Sequence, residues 1–245
     1  MKKTEYSRMA HHEKTYWWHL GRLKIINTYL NKHIGDKSKV KILNVGCGTG
    51  GTLGTLEKYG NVENIDVSDD AINFMKKSGY KVKKVKGIEL PYKDNTFDLI
   101  AAFDVLEHIE HDKDALREWM RVLKPGGFVI MTIPAHQWLW SQHDVSLHHF
   151  RRYTTSEVKQ KAKDSGLRPK KVSYAFAFSL PMVVGFRVIN RILGRKVDAE
   201  TSYVSIPKSI NSLFTGLLAV EAKVHSVGSV IFGTSVIGAL EKVKE

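Results

Sequence analysis

The sequence predicts an α/β fold built on a doubly wound parallel sheet, and three observations carry that prediction. The first is Lys39–Gly51, a β-branched apolar run that breaks at Val45 into Gly46-Cys47-Gly48-Thr49-Gly50-Gly51. This reads as strand, tight turn and helix, with glycines where the backbone needs φ > 0 and close approach to a ligand. The second is Asp66, twenty residues beyond Gly46 at the end of the short strand Val62–Ile65, where an acid can hold a ribose diol. The third is the alternation of strand-like and helix-like segments as far as Ile133. That alternation specifies parallel strands, helices on both faces and ligands at the strands' carboxyl ends.

A cofactor with an adenosine-like moiety is expected at the glycine turn, but spacing alone leaves its identity open. Gly46, Gly48 and Gly51 satisfy G-x-G-x-x-G, which suggests NAD. Gly46, Gly48 and Gly50 satisfy the tighter G-x-G-x-G, which suggests S-adenosylmethionine.

With 245 residues and 42% hydrophobic content, the chain can bury a full core as one elaborated domain. Its formal charge of +13 favours nucleic acid, anionic lipid or acidic substrates as partners, against the plainer reading of scattered surface lysines. Cys47 is the single cysteine, which excludes a disulfide framework and fits a reducing, cytoplasmic compartment. The start, Met1-Lys2-Lys3-Thr4-Glu5-Tyr6, lacks an apolar signal core. The apolar stretches Val172–Phe186 and His225–Leu240 fall short of the roughly 20 residues that span a bilayer.

In order along the chain, residues 1–38 form an arm and cover and residues 39–245 the main domain. A polar arm bearing His11 and His12 leads into an amphipathic helix over Tyr16–Ile34, with Leu23, Ile26 and Leu30 on one face and Trp17 and Trp18 as packing residues. A helix is expected over Thr52–Lys58, another capped by Ser68 and ending near Gly79, and a strand over Tyr80–Val85 with its lysines in solvent. Asn95–Asp104 gives a turn and a strand buried on both faces. Lys113–Leu123 is a helix broken at Lys124-Pro125-Gly126-Gly127, and Phe128–Ile133 a fifth strand. Thr154–Glu157 is a capping box opening a helix to Ser165 that Gly166 ends.

Val45–Gly50, Asp66, Leu90-Pro91-Tyr92, Phe97–Ile100, Asp104-Val105-Leu106-Glu107-His108 and Leu123–Gly127 together resemble the ordered motifs of class I S-adenosylmethionine-dependent methyltransferases. The Trp-Trp helix, the segment from Trp138 through His143-Asp144 to Arg151-Arg152-Tyr153-Thr154, and Phe232–Ser235 resemble one broad subfamily of glycan- and lipid-associated members. The resemblance implies a Rossmann-like sheet of seven strands. The sixth is expected at Arg168–Phe178 and the last, antiparallel, at Val236–Val243, with a helical insertion at about 180–228 between them. It implies that Gly46, Cys47, Gly48 and Gly50 face the methionine part and ribose, that Asp66 and Val67 hold the ribose side, and that Asp104 and Val105 lie near the sulfonium. Two positions depart from the family pattern, Asn44 and Lys86, where an acid is usual. The adenine contact then falls to Gly87 and Ile88.

Candidates for chemistry cluster after the fifth strand, at His136, His143, Asp144, His148, His149, Arg151, Arg152 and Tyr153. A histidine there can take a proton from the acceptor, with Asp144 or Glu107 orienting it, and His108 lies near the cofactor by family position. Arg151, Arg152, Tyr153 and Trp140 are candidates for holding the acceptor. The plainer reading is that His143, Asp144 and Tyr153 shape an irregular loop. No spacing here matches a metal motif, and no metal is expected.

In the insertion, Met182–Arg195 places Phe186, Ile189 and Leu193 opposite Arg187, Asn190, Arg191 and Arg195, and Ser205–Val224 lines up Ile210, Leu213, Leu217, Val220 and Val224. Two outcomes are open: apolar faces packed together as a lid, or a basic face on an anionic membrane. The function expected is methyl transfer from S-adenosylmethionine, with S-adenosylhomocysteine as product, to a small or lipid-linked acceptor, at oxygen. The rivals are a catalytically silent binding module at a membrane or protein partner and, third, an RNA or protein methyltransferase. Nucleic acid is disfavoured because the basic residues form no dense run with interleaved aromatics. The expected location is cytoplasmic, with peripheral contact at the inner membrane face left open.

Overall fold

A computed structural model describes residues 3–35, 40–192 and 206–244. Seven strands form one sheet: β1 Val40–Val45, β2 Gly60–Asp66, β3 Val82–Lys84, β4 Phe97–Phe103, β5 Leu123–Pro134, β6 Leu167–Ala175 and β7 Ser235–Lys242. Their order is β3-β2-β1-β4-β5-β7-β6. The first five are parallel, and β7 runs antiparallel between β5 and β6. The doubly wound sheet with its reversed last strand is therefore observed.

Nine helices are described: α1 Lys3–Thr15, α2 Trp17–His33, α3 Leu53–Leu56, α4 Asp69–Lys77, α5 Asp112–Val122, α6 Gln142–Ser146, α7 Thr155–Asp164, α8 Ser179–Ile192 and α9 Lys208–Val227. The period of two in β4 sets the layers, since successive side chains point to opposite faces. Ile100 and Ala102 join a core with Trp119 of α5 and Val158 of α7. Leu99, Ala101 and Phe103 join the other, with Ile25, Ile26, Tyr29 and Leu30 of α2 and Leu218 of α9. Helix α9 lies so close to α2 that a Cβ on Gly21 would fall 2.0 Å from the Leu218 side chain.

Several boundaries differ from expectation. The polar arm is helical, as α1, because it packs along α2 and α4 rather than because its own sequence is amphipathic. The helix expected at Thr52–Lys58 is the single turn α3, and the strand expected over Tyr80–Val85 keeps three residues. Strand β6 stops at Ala175 because Phe176 turns to φ +62°. Strand β5 begins five residues before Phe128, since Leu123 pairs with Phe97 ahead of an irregularity in the ladder. The caps at Ser68 and Thr154 form as read, the second as a complete box with Glu157.

The apolar faces of the insertion are left open among the described residues. The stripe Ile210, Leu213, Leu217, Val220 and Val224 is exposed, as are Met182, Phe186 and Ile189 of α8. Helix α9 docks instead through Leu218, Glu221, Ala222 and His225. Glu221 anchors this face by accepting the backbone N–H groups of Phe176 and Ala177 at 2.5 and 2.9 Å. The polar face of Arg187, Asn190, Arg191 and Arg195, together with Leu193, lies outside the described side chains. No helix among the described residues is long and apolar enough to cross a membrane.

Candidate active site

The site is assembled where β1, β2 and β4 end side by side. Val45 is in register with Ile65 of β2 and Ala102 of β4, so the segments that follow all emerge at one edge. Gly46 takes φ +64°, and a Cβ there would lie 2.7 Å from Val105. Gly48 takes φ +53° and a Cβ would meet nothing within 4 Å, so this backbone faces open space. Its N–H donates to Asp66 Oδ2 at 2.9 Å while Asp66 Oδ1 accepts the Ser68 N–H at 2.9 Å. Each carboxylate oxygen retains acceptor capacity for a ribose hydroxyl. Cys47 is inert: burial, reinforced by Asp66, pushes its thiol up to about 12.

Asn44 is buried and donates through Nδ2 to Asn64 Oδ1 at 2.9 Å, so it is tied to the neighbouring strand. Negative charge reaches the loop from elsewhere. Thr49 Oγ1 donates to Glu13 Oε1 of α1 at 2.5 Å, and a Cβ on Gly51 would strike that carboxylate. Sequence reading missed Glu13 because no pattern in α1 indicated that it folds back over the glycine loop.

Across the edge, Asp104 sits in the left-handed region at φ +56° immediately after β4. Its Oδ2 pairs with Arg22 of α2 at 2.7 Å, and its Oδ1 accepts from Thr132 Oγ1 of β5 at 3.0 Å. Of the remaining cofactor candidates, Val67 is exposed at the loop's rim, Gly87 takes φ +71°, and Ile88 packs on the core. Lys86 is exposed.

The loop after β5 separates the other candidates. Asp144 is fully buried. Burial alone would raise its carboxyl, but hydrogen bonds from His149 and Arg152 outweigh this and hold it well below the usual carboxylate range. Arg152 reaches both its oxygens, at 2.7 and 2.9 Å. Tyr153 is buried with its hydroxyl donating to Asp112 Oδ2 at 2.9 Å, and Arg151 pairs with the same carboxylate at 2.8 Å. Arg152 and Tyr153 are thus engaged inside the protein rather than presented to an acceptor. The Arg152–Asp144 ion pair closes the loop on itself, and the Arg151–Asp112 ion pair and the Tyr153 hydroxyl tie it to α5. Trp140 is half-buried, and His143 and His148 are exposed, His148 at φ +58°.

The histidine brought to the centre is His149, which the sequence offered only as one of several. Its Nδ1 lies 3.0 Å from Asp144 Oδ1, and its ring stands edge-on to that of His108 with centroids 4.6 Å apart. The Phe150 N–H donates to the Glu107 carbonyl at 2.8 Å, which holds His149 over the Leu106–His108 turn. His108 is exposed, yet desolvation by the protein packed around its ring, with His149 adding to it, brings it down to about 4, and its imidazole is neutral at pH 7. Burial likewise raises the Glu107 carboxyl well above its ordinary range, helped by Asp104. A neutral imidazole beside the cofactor edge can accept a proton or position an acceptor hydroxyl.

Residues 43–131 match the family model described as a methyltransferase domain. Among curated relatives, norajmaline N-methyltransferase of Rauvolfia serpentina is 30% identical over 116 residues, 42% of this chain and 38% of that protein. Demethylmenaquinone methyltransferase of Staphylococcus aureus is 34% identical over 116 residues, 44% of this chain and 48% of that one. The chain spans less than half the length of these two relatives. In structure it resembles a SAM dependent methyltransferase from Archaeoglobus fulgidus, with a TM-score of 0.58 at 14% identity over 90% of this chain and 94% of the other. The segment from Leu43 to Met131 holds the glycine loop, Asp66, Asp104 and His108. That segment is similar to the methyltransferase-domain family, and the chain as a whole has the Rossmann-like fold of S-adenosylmethionine-dependent methyltransferases.

Proposed function

We propose that this protein methylates a hydroxyl oxygen of a small or lipid-linked acceptor with S-adenosylmethionine as donor. One observation carries the reading: the open Gly48 backbone with Asp66 behind it shares a sheet edge with Asp104 and the neutral His108. The residues fit the donor, since Asp66 can take its ribose hydroxyls, the Gly46–Gly50 backbone can approach it closely, and Glu13 can face its ammonium. When bound, the donor supplies an activated methyl group on sulfur. An acceptor oxygen held in line with the sulfur–methyl bond would form the new oxygen–carbon bond as the sulfur–carbon bond breaks, the electron pair leaving on sulfur as S-adenosylhomocysteine. His108 or His149 takes the hydroxyl proton, and much of the rate comes from holding oxygen and methyl in line.

The exposed apolar stripe of α9, flanked by the exposed Lys208 and Lys223 on a chain of charge +13, supports a lipid-linked acceptor met at an anionic membrane face. The relatives' names, an alkaloid N-methyltransferase and a demethylmenaquinone methyltransferase, do not converge on one acceptor. The silent-module alternative draws support from Asn44, which is locked to Asn64.

Calorimetric titration with S-adenosylmethionine and S-adenosylhomocysteine, with and without anionic vesicles, separates these readings. Micromolar binding is expected, tightened or accompanied by vesicle association. Absence of binding by the folded protein would leave the silent module.

A further inference from the structure

We propose that Glu107, His108 and His149 form a binding site for a divalent first-row transition metal ion. One ligand atom from each lies within 4.8 Å of those of the other two. A single ion with ligand bonds of about 2.1 Å reaches all three with side-chain rotation. Two imidazoles and a carboxylate are a donor set used by Zn²⁺, Fe²⁺, Mn²⁺ and Co²⁺.

The surroundings supply what a ligand set needs. Glu107 is 1% exposed, and both its carboxylate oxygens lack a hydrogen-bond partner among the described residues beyond its own backbone amide. A buried carboxyl in that state stays protonated unless a cation binds directly to it. Each histidine is oriented by an outer acceptor. Asp144, paired with Arg152, can only accept, so His149 donates from Nδ1 and keeps its lone pair on Nε2. The His108 ring hydrogen-bonds the Leu147 carbonyl, which also can only accept, and so its other nitrogen carries the lone pair. The sequence carried no metal signature because the ligands come from a turn after β4 and a loop after β5. Only the fold joins them.

The site deepens the O-methylation reading, since a bound cation next to the cofactor edge would lower the pKa of a coordinated acceptor hydroxyl, whose proton would then leave to solvent because the metal takes up both imidazole lone pairs. Its binding is independent of the donor. The test is titration of the metal-free full chain with Co²⁺, followed by d–d absorption and calorimetry, then competition with Zn²⁺ and Mn²⁺, all without S-adenosylmethionine. One Co²⁺ per chain is expected, weakened at least tenfold by Glu107→Gln and by His149→Ala, with unchanged circular dichroism in both variants. His143→Ala, at an exposed position, should bind as the parent does. Binding lost instead in a His11→Ala/His12→Ala variant, or absent from the folded parent, would overturn the proposal. Metal binding without S-adenosylmethionine binding would sink the methyltransferase reading and leave this one standing.

Discussion

Arg22 Nη2 lies 2.7 Å from Asp104 Oδ2, joining the cover helix α2 to the left-handed residue that ends β4. The same Nη2 reaches Thr132 Oγ1 at 3.3 Å, and the guanidinium stands 5.2 Å from the Trp18 ring. Arg22 therefore balances Asp104, and without touching the buried Glu107 it offsets part of that group's desolvation. The N-terminal segment is part of the site's electrostatics as well as its cover.

Replacing Arg22 by Met should leave Asp104 without its counter-charge and cost about 2 kcal/mol of stability, the partial exposure of Asp104 keeping the loss below that of a fully buried pair. Urea unfolding of Arg22→Met, Asp104→Asn and the double variant measures the coupling. The double variant should recover at least half the loss. Strict additivity would show that the pair contributes nothing.

Asp66→Ala removes the acceptor of two loop N–H groups, from Gly48 and Ser68, as well as the proposed ribose contact. Affinity for S-adenosylhomocysteine should fall at least tenfold, about 1.4 kcal/mol. Asp66→Glu should fall between variant and parent. An unchanged dissociation constant in Asp66→Ala would move the ribose elsewhere.

Much of this arrangement was legible in the sequence for a physical reason. Parallel strands buried on both faces read as apolar runs, and Gly46, Gly48 and Asp66 follow from what a ligand edge demands of the backbone. What was not legible depends on long-range placement. Glu13 lies in a polar helix with no apolar face, and nothing local shows that it bends onto Thr49. His149 looked equivalent to His143 and His148 until the buried Asp144 selected it. The apolar stripe of α9 was read correctly as a stripe, but the docked face uses Glu221 and His225, polar residues that periodicity counts as solvent-facing.

Glu13 is expected to supply the negative charge that Asn44 cannot. In Glu13→Gln the hydrogen bond to Thr49 can persist while the charge is lost. S-adenosylmethionine should bind about tenfold more weakly, about 1.4 kcal/mol, and 5′-methylthioadenosine, which lacks the ammonium, should bind as before. Equal losses for the two ligands would point to a displaced α1 helix rather than a lost charge contact.

His19 provides the pH dependence of stability. It is buried, at 6% exposure, and burial with the Arg22 charge brings its imidazole from 6.5 down to about 4. Between those two values the unfolded chain binds a proton that the folded protein does not, so stability rises with pH across the window. The contribution is fully present above pH 6.5 and is lost as pH falls through 4, by roughly 3 kcal/mol at one pKa unit per 1.36 kcal/mol. Urea unfolding at pH 7 and pH 4.5 should show about 2.5 kcal/mol of that loss in the parent, on top of whatever the other groups contribute. His19→Gln, which cannot titrate, should show a loss smaller by about 2–3 kcal/mol. Parallel pH profiles for parent and variant would mean that the His19 ring takes up its proton in the folded protein at an ordinary pKa.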